Sequence, residues 1–121
     1  MAFYKWKDLE GELITPKYST AFGPSVKGEK VEVGLLKFPP NTEAKTHAHP
    51  NEQFMIVLKG RAKWIVGDEE KILGPGEFVY DPPNVPHSIE VLDEGLEVIN
   101  VKDIVKGFSV KHARWEDEKE K

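Results

Sequence analysis

Residues 46–60 read THAHPNEQFMIVLKG, from Thr46 to Gly60. His47 and His49 stand two apart, and Gln53 follows four later. Side chains alternate along a β-strand, so positions 47, 49 and 53 share one face of a regular strand. Two imidazoles and an amide oxygen on one face can hold a transition metal. Glu52 has the opposite parity and is expected to point away. The next stretch, Phe54 to Leu58, is apolar at every position. Met55 and Val57 belong to the ligand face, so Phe54, Ile56 and Leu58 need separate cover. Exposed apolar patches of this kind mark interfaces, and a homodimer is the economical expectation.

A third histidine ends the stretch from Gly76 to His87, GEFVYDPPNVPH. The two stretches together resemble the two motifs of the cupin superfamily. In the first motif, Asn41 stands at the leading glycine, and His47, His49, Gln53 and Gly60 follow in register. In the second, Gly76, Pro82 and His87 match, Asn84 replaces the middle glycine and Val91 the final asparagine. Asparagine tolerates the left-handed backbone that glycine favours, so the first of these changes is mild. The resemblance implies a double-stranded β-helix, the cupin jelly-roll barrel of the RmlC-like kind. It also implies one divalent metal held by His47, His49, Gln53 and His87 inside the barrel.

The rest of the chain is consistent with an all-β fold. Short apolar runs are separated by turn residues at Gly28, Pro39-Pro40, Gly67-Asp68 and Gly74-Pro75-Gly76, the pattern of a sandwich or barrel. Gln53–Leu58 and Arg61–Val66 are expected as successive strands, and 88–92 and 96–101 as the two arms of a hairpin around Asp93-Glu-Gly95. Residues 103–116 fit either strand or a helical turn. The 121 residues form one domain: a core over about 15–103, an N-terminal arm over 1–14 and a charged tail over 116–121.

A net charge of -4 argues against a nucleic-acid-binding surface. No apolar run approaches the roughly 20 residues of a membrane helix. The first residues lack the apolar stretch of a secretory signal, and a cytoplasmic location is the default expectation. The chain has no cysteine, so thiolate ligands and disulfides are excluded.

Three neutral nitrogens and one neutral oxygen suit Fe, Mn, Ni, Zn or Cu, and donor softness does not choose among them. They leave the ion's charge uncompensated, which favours a small anionic or enolisable substrate. Isomerase or lyase chemistry through a Lewis acid is one expectation. An Fe-dependent dioxygenase of a diketone or enol, and a small-molecule-binding module without turnover, are the others. Tyr80 and Asp81 are candidate acid–base groups if they face the interior; Asp81 beside Pro82 reads equally as a turn residue. Trp64 is the tryptophan best placed to line the cavity. The layout is also similar to small cupins that linearise unsaturated uronates, in HPNEQ, VLKG and PNVPH. In those, an aspartate on the last strand acts near the metal; Asn100 stands there here, and an amide cannot take up a proton as a carboxylate does. Tyr80 and Asn100 are the candidate catalytic residues.

Overall fold

The computed structural model describes residues 2–118, so Met1 and residues 119–121 of the tail expectation lie outside it. Eleven strands follow in order: β1 (Glu12–Leu13), β2 (Phe22–Gly23), β3 (Ser25–Lys27), β4 (Val31–Phe38), β5 (Glu43–His47), β6 (Gln53–Val66), β7 (Glu69–Leu73), β8 (Phe78–Asp81), β9 (His87–Asp103), β10 (Phe108–Ser109) and β11 (Arg114–Trp115). Helix among the described residues is limited to short 3₁₀ turns at Trp6–Asp8 and Glu116–Glu118. Nine strands form one antiparallel sheet in the order β1-β2-β4-β9-β6-β7, with β3 on β4, β5 on β9 and β8 on β6.

Two sequence expectations change here. Residues 53–58 and 61–66 are one bent strand, β6. Residues 88–92 and 96–101 do not pair with each other; both lie in β9 and run antiparallel to β6. The bend is shared. Gly60 and Gly95 have φ of 78° and 77°, and a Cβ on Gly60 would sit 1.9 Å from the Gly95 carbonyl oxygen. Two facing glycines let both backbones turn together where side chains would collide.

Alternation along β6 and β9 builds the core. Met55, Val57, Ala62 and Trp64 are buried from β6, and Ile89, Val91, Leu96 and Val98 from β9. Ala21, Leu36, Phe38, Ala44 and Leu73 complete the cluster. Trp64 packs in this apolar region, 2% exposed, so the expectation that it lines the cavity beside the histidines is corrected. The opposite face of β6 stays open: Phe54 and Leu58 are 41% and 43% exposed, beside Phe78 of β8 at 62%.

The N-terminal arm bends back onto its own barrel. Tyr4 and Trp6 line a groove with Val26, Val31, Val33 and Val101. The ambiguous stretch after β9 resolves as the β10–β11 hairpin, in register Phe108 with Trp115.

Candidate metal centre

The two motif asparagines that stand where the cupin pattern has glycine both adopt left-handed backbone, with φ of 60° at Asn41 and 63° at Asn84. Asn84 donates its backbone N–H to the His49 carbonyl at 2.8 Å, tying the loop before His87 to the loop that carries His49. The chain thus keeps the turn geometry without the glycines.

His47 ends β5 and pairs with His87 at the start of β9. His49 lies in the loop between β5 and β6, and Gln53 opens β6. One regular strand does not carry 47, 49 and 53, as parity alone predicts. The β5–β9 register slips between Ala44 and His47, and the ladder ends at His47, before Pro50. The side chains still converge. One ring nitrogen from each of His47, His49 and His87 lies within 4.8 Å of the other two.

Each ring is held from behind. Nδ1 of His47 reaches the Lys45 carbonyl at 2.6 Å, Nδ1 of His49 the Asn51 carbonyl at 3.0 Å, and Nδ1 of His87 the Val85 carbonyl at 3.0 Å. A carbonyl oxygen only accepts, so Nδ1 carries the proton in all three rings. The Nε2 lone pairs are left free, as metal-binding imidazoles require. Nε2 of His87 is buried with no hydrogen-bond partner. Tyr18 stacks on His47 at 4.4 Å between ring centroids and fixes that ring from the other side.

Burial keeps two of these rings neutral. It pushes His49 down to about 4, with the neighbouring His87 adding to the effect and the Asn51 carbonyl opposing it. Burial likewise lowers His47, against the Lys45 carbonyl. Neutral rings need no deprotonation before binding a cation. The donor set, its orientation and the orphaned nitrogen all fit a divalent transition metal, which these three histidines can hold.

The surrounding cavity, about 40 Å³, is lined by the three histidines, Gln53, Met55, Asn100 and Lys102 among others. Gln53, not Glu52, faces it, as parity predicts; Glu52 instead accepts a hydrogen bond from the Tyr80 hydroxyl at 2.8 Å on the outside. This moves Tyr80 out of the site. Its ring lies 4.9 Å from Phe54 on the outer face of the sheet, and the Glu52 contact raises its pKa. The expected catalytic role of Tyr80 is therefore corrected: on β8 the inward position belongs to its neighbour Asp81, fully buried opposite Gln53. Asn100 does face the cavity, with its side-chain oxygen buried and unpartnered.

Sequence reading missed Lys102. Its side chain is buried, and burial lowers its pKa despite Glu32, whose carboxylate lies 3.7 Å away. Strand parity was the available signal, because 98, 100 and 102 share the inward face of β9. Lys102, Ile14 and Val110 also line a second cavity of about 220 Å³ beneath the β10–β11 hairpin. Arg61 and Lys63 have no part in the site; Lys63 pairs with Glu90 at 2.7 Å.

A family model described as "Cupin domain" matches residues 34–101, and the chain belongs to that family. The fold is accordingly the cupin jelly roll. An RmlC-like cupin from Shewanella frigidimarina superposes with a TM-score of 0.77 at 20% identity, covering 88% of this chain and 93% of that one. In sequence, the chain is 29% identical over 73 residues to oxalate decarboxylase OxdC of Bacillus subtilis, covering 56% of this chain and 19% of that protein. It is 27% identical over 101 residues to the uncharacterized protein SCO3923 of Streptomyces coelicolor, covering 84% of this chain and 94% of that protein. It is 35% identical over 48 residues to dimethylsulfoniopropionate lyase DddQ of Ruegeria pomeroyi, covering 39% of this chain and 24% of that protein. The chain therefore spans about a fifth of the decarboxylase and about a quarter of the lyase. No helix among the described residues is long and apolar enough to cross a membrane.

Proposed function

We propose that the protein is a metal-dependent enzyme acting on a small carboxylate-bearing substrate, with isomerase or lyase chemistry. One observation carries the reading: three histidines are locked by backbone carbonyls with their free nitrogens turned into a cavity that also holds a buried lysine. His47, His49, His87 and Gln53 would hold the metal. When bound, it would supply a Lewis acid for a carbonyl or carboxylate oxygen. Lys102 contributes the cationic group that orients an anion, and the side chains of Met55 and Ile89 keep that part of the cavity apolar. Asn100 offers an amide to a substrate oxygen.

The anionic preference rests on Lys102. It has three N–H donors, and its nearest carboxylate is 3.7 Å away, so donor capacity remains for a ligand. The uronates named by the sequence resemblance, 2-oxo acids, and the oxalate and dimethylsulfoniopropionate in the names of the similar decarboxylase and lyase all carry a carboxylate. Elemental analysis of the purified protein, then product screening of such acids with Mn, Fe, Ni, Zn and Cu forms, tests the proposal. Turnover of a carboxylate that weakens in Lys102→Met with metal content retained supports it. Tight binding with no product across all metals replaces it with a binding module, and O2 uptake confined to the Fe form replaces it with a dioxygenase.

We further propose that a second copy covers the outer face of β6, as the unbroken apolar run implies. Phe54, Leu58 and Phe78 lie exposed together there. Each contributes about 1.5–3 kcal/mol on full burial, against association costs of roughly 4–15 kcal/mol. Ile56, Ile99 and Val101 on the same face enlarge the area.

A further inference from the structure

The most buried acidic group among the described residues is not one of the four residues that would hold the metal. Asp81 is 0% exposed. Its Oδ2 accepts a hydrogen bond from Nε2 of Gln53 at 2.7 Å and lies 3.8 Å from Nε2 of His87. Its Oδ1 is buried without a partner. Gln53 and Asp81 are also directly opposed in the β6–β8 ladder, so backbone register sets the pair.

We infer that Asp81 is a positioning residue for Gln53, and that the two together do what a single ligating carboxylate would do. The inference rests on the metal reading above. The chemistry of the pair is one-directional. In the structure Gln53 Nε2 donates to Asp81 Oδ2, so the Gln53 amide turns its NH2 toward Asp81. That leaves Oε1 as the atom Gln53 can offer to the cavity it lines. Without the carboxylate, an amide has two orientations of similar shape, and one of them points N–H donors at a cation.

Asp81 has a second effect. An imidazole or amide donor would bring no negative charge to a bound ion, and Lys102 lines the same cavity. A carboxyl group hydrogen-bonded to Gln53 would lie beside a bound ion while Gln53 Oε1 remains the atom offered to it. Glu at position 53 would be disfavoured in this chain, because it would set a second carboxyl group against Asp81 where an N–H now donates.

The test exchanges the two groups. The variants are Gln53→Glu, Asp81→Asn and the double variant, read in two ways. In metal-free protein, Gln53→Glu is expected to lower the Tm. Adding Asp81→Asn should restore most of the loss, since the amide introduced on β8 can donate to the carboxylate introduced on β6. With Mn2+ alone as the probe, Asp81→Asn is expected to weaken binding about 10- to 100-fold, the usual effect of losing an outer-shell partner. The double variant should recover to within about tenfold of wild type. An Asp81→Asn protein that binds Mn2+ as tightly as wild type overturns the inference. So does a double variant no more stable than Gln53→Glu. If wild type itself binds no divalent metal, the metal reading fails, and the Tm arm still decides whether the pair is coupled.

Discussion

The barrel interior has two ends built from the same strands. Around the bend, β6 and β9 bury Ala62, Trp64, Val91, Leu96 and Val98. At the other end, the same strands and their neighbours bury Gln53, Asp81, His87, Asn100 and Lys102. Strand alternation is the same at both, while the chemistry is opposite. The apolar end gains from leaving water. The polar end gives up hydration for incomplete partners, which costs stability wherever a group stays unpaired. The unpartnered buried atoms reflect this: His87 Nε2, Asp81 Oδ1, Asn100 Oδ1 and Asn51 Oδ1 lie in or beside the polar end, against Trp64 Nε1 in the apolar one. The difference teaches that cohesion and chemistry are separated along shared strands, so each can be broken without the other.

The largest expected effect is at the apolar end. Trp64→Ala removes a side chain that is 2% exposed and should cost about 3–5 kcal/mol, with the barrel largely unfolded in mild urea. Denaturant titration measures it. A loss under about 1 kcal/mol would mean that the two ends are not divided as described.

Next is the metal end. His87→Ala should reduce affinity for a divalent ion by more than the roughly 100-fold that outer-shell changes cause, with an unaltered far-UV circular dichroism spectrum. Its buried Nε2 has no partner to lose. Full metal occupancy in this variant would show that the third ligand is misassigned.

Acid should act on the polar end alone. His49 is held at about 4 in the folded chain against an ordinary 6.5. Between those values the unfolded chain binds the extra proton and the folded chain does not. Stability of the metal-free protein should therefore be full above about pH 6.5 and fall as pH drops toward about 4, with His47 lowered by burial adding to the same fall. His49→Gln should flatten that slope in urea titrations across the range. An equal slope in wild type and variant would place the acid sensitivity elsewhere.

The smallest effect on the fold is expected from the outer face. Ile56→Lys should leave monomer stability within about 1 kcal/mol, because that face looks outward, while shifting a dimer to monomer in sedimentation at micromolar concentration. A wild-type protein that sediments at 13.7 kDa would remove the second copy from the account.

Much of this was legible before the fold. The spacing of His47, His49 and Gln53, with His87 added by the cupin resemblance, marked the residues around the cavity, and Gln53 rather than Glu52 faces it although the single regular strand that parity assumed is interrupted. The failure of alternation from Phe54 to Leu58 anticipated the exposed apolar face. Tyr80 was not legible, because parity relates residues within a strand and does not say which face of β8 meets the interior. The single strand β9 was hidden too, since Asp93-Glu-Gly95 has the composition of a hairpin turn. Only the contact of Gly95 with Gly60 shows that it bends a continuous strand instead.

The sequence by itself determined the periodicity, the turn positions and the donor types, because these depend on neighbours within a few residues. Tertiary structure decided what lies across the strands. Gln53 meets Asp81 from 28 residues away, and Asn51 meets the Asp103 carbonyl from 52. Lys102 becomes a cavity residue through the β6–β9 register that sets it opposite Gln53. Register between distant strands follows from how the whole barrel closes, and no local pattern encodes that.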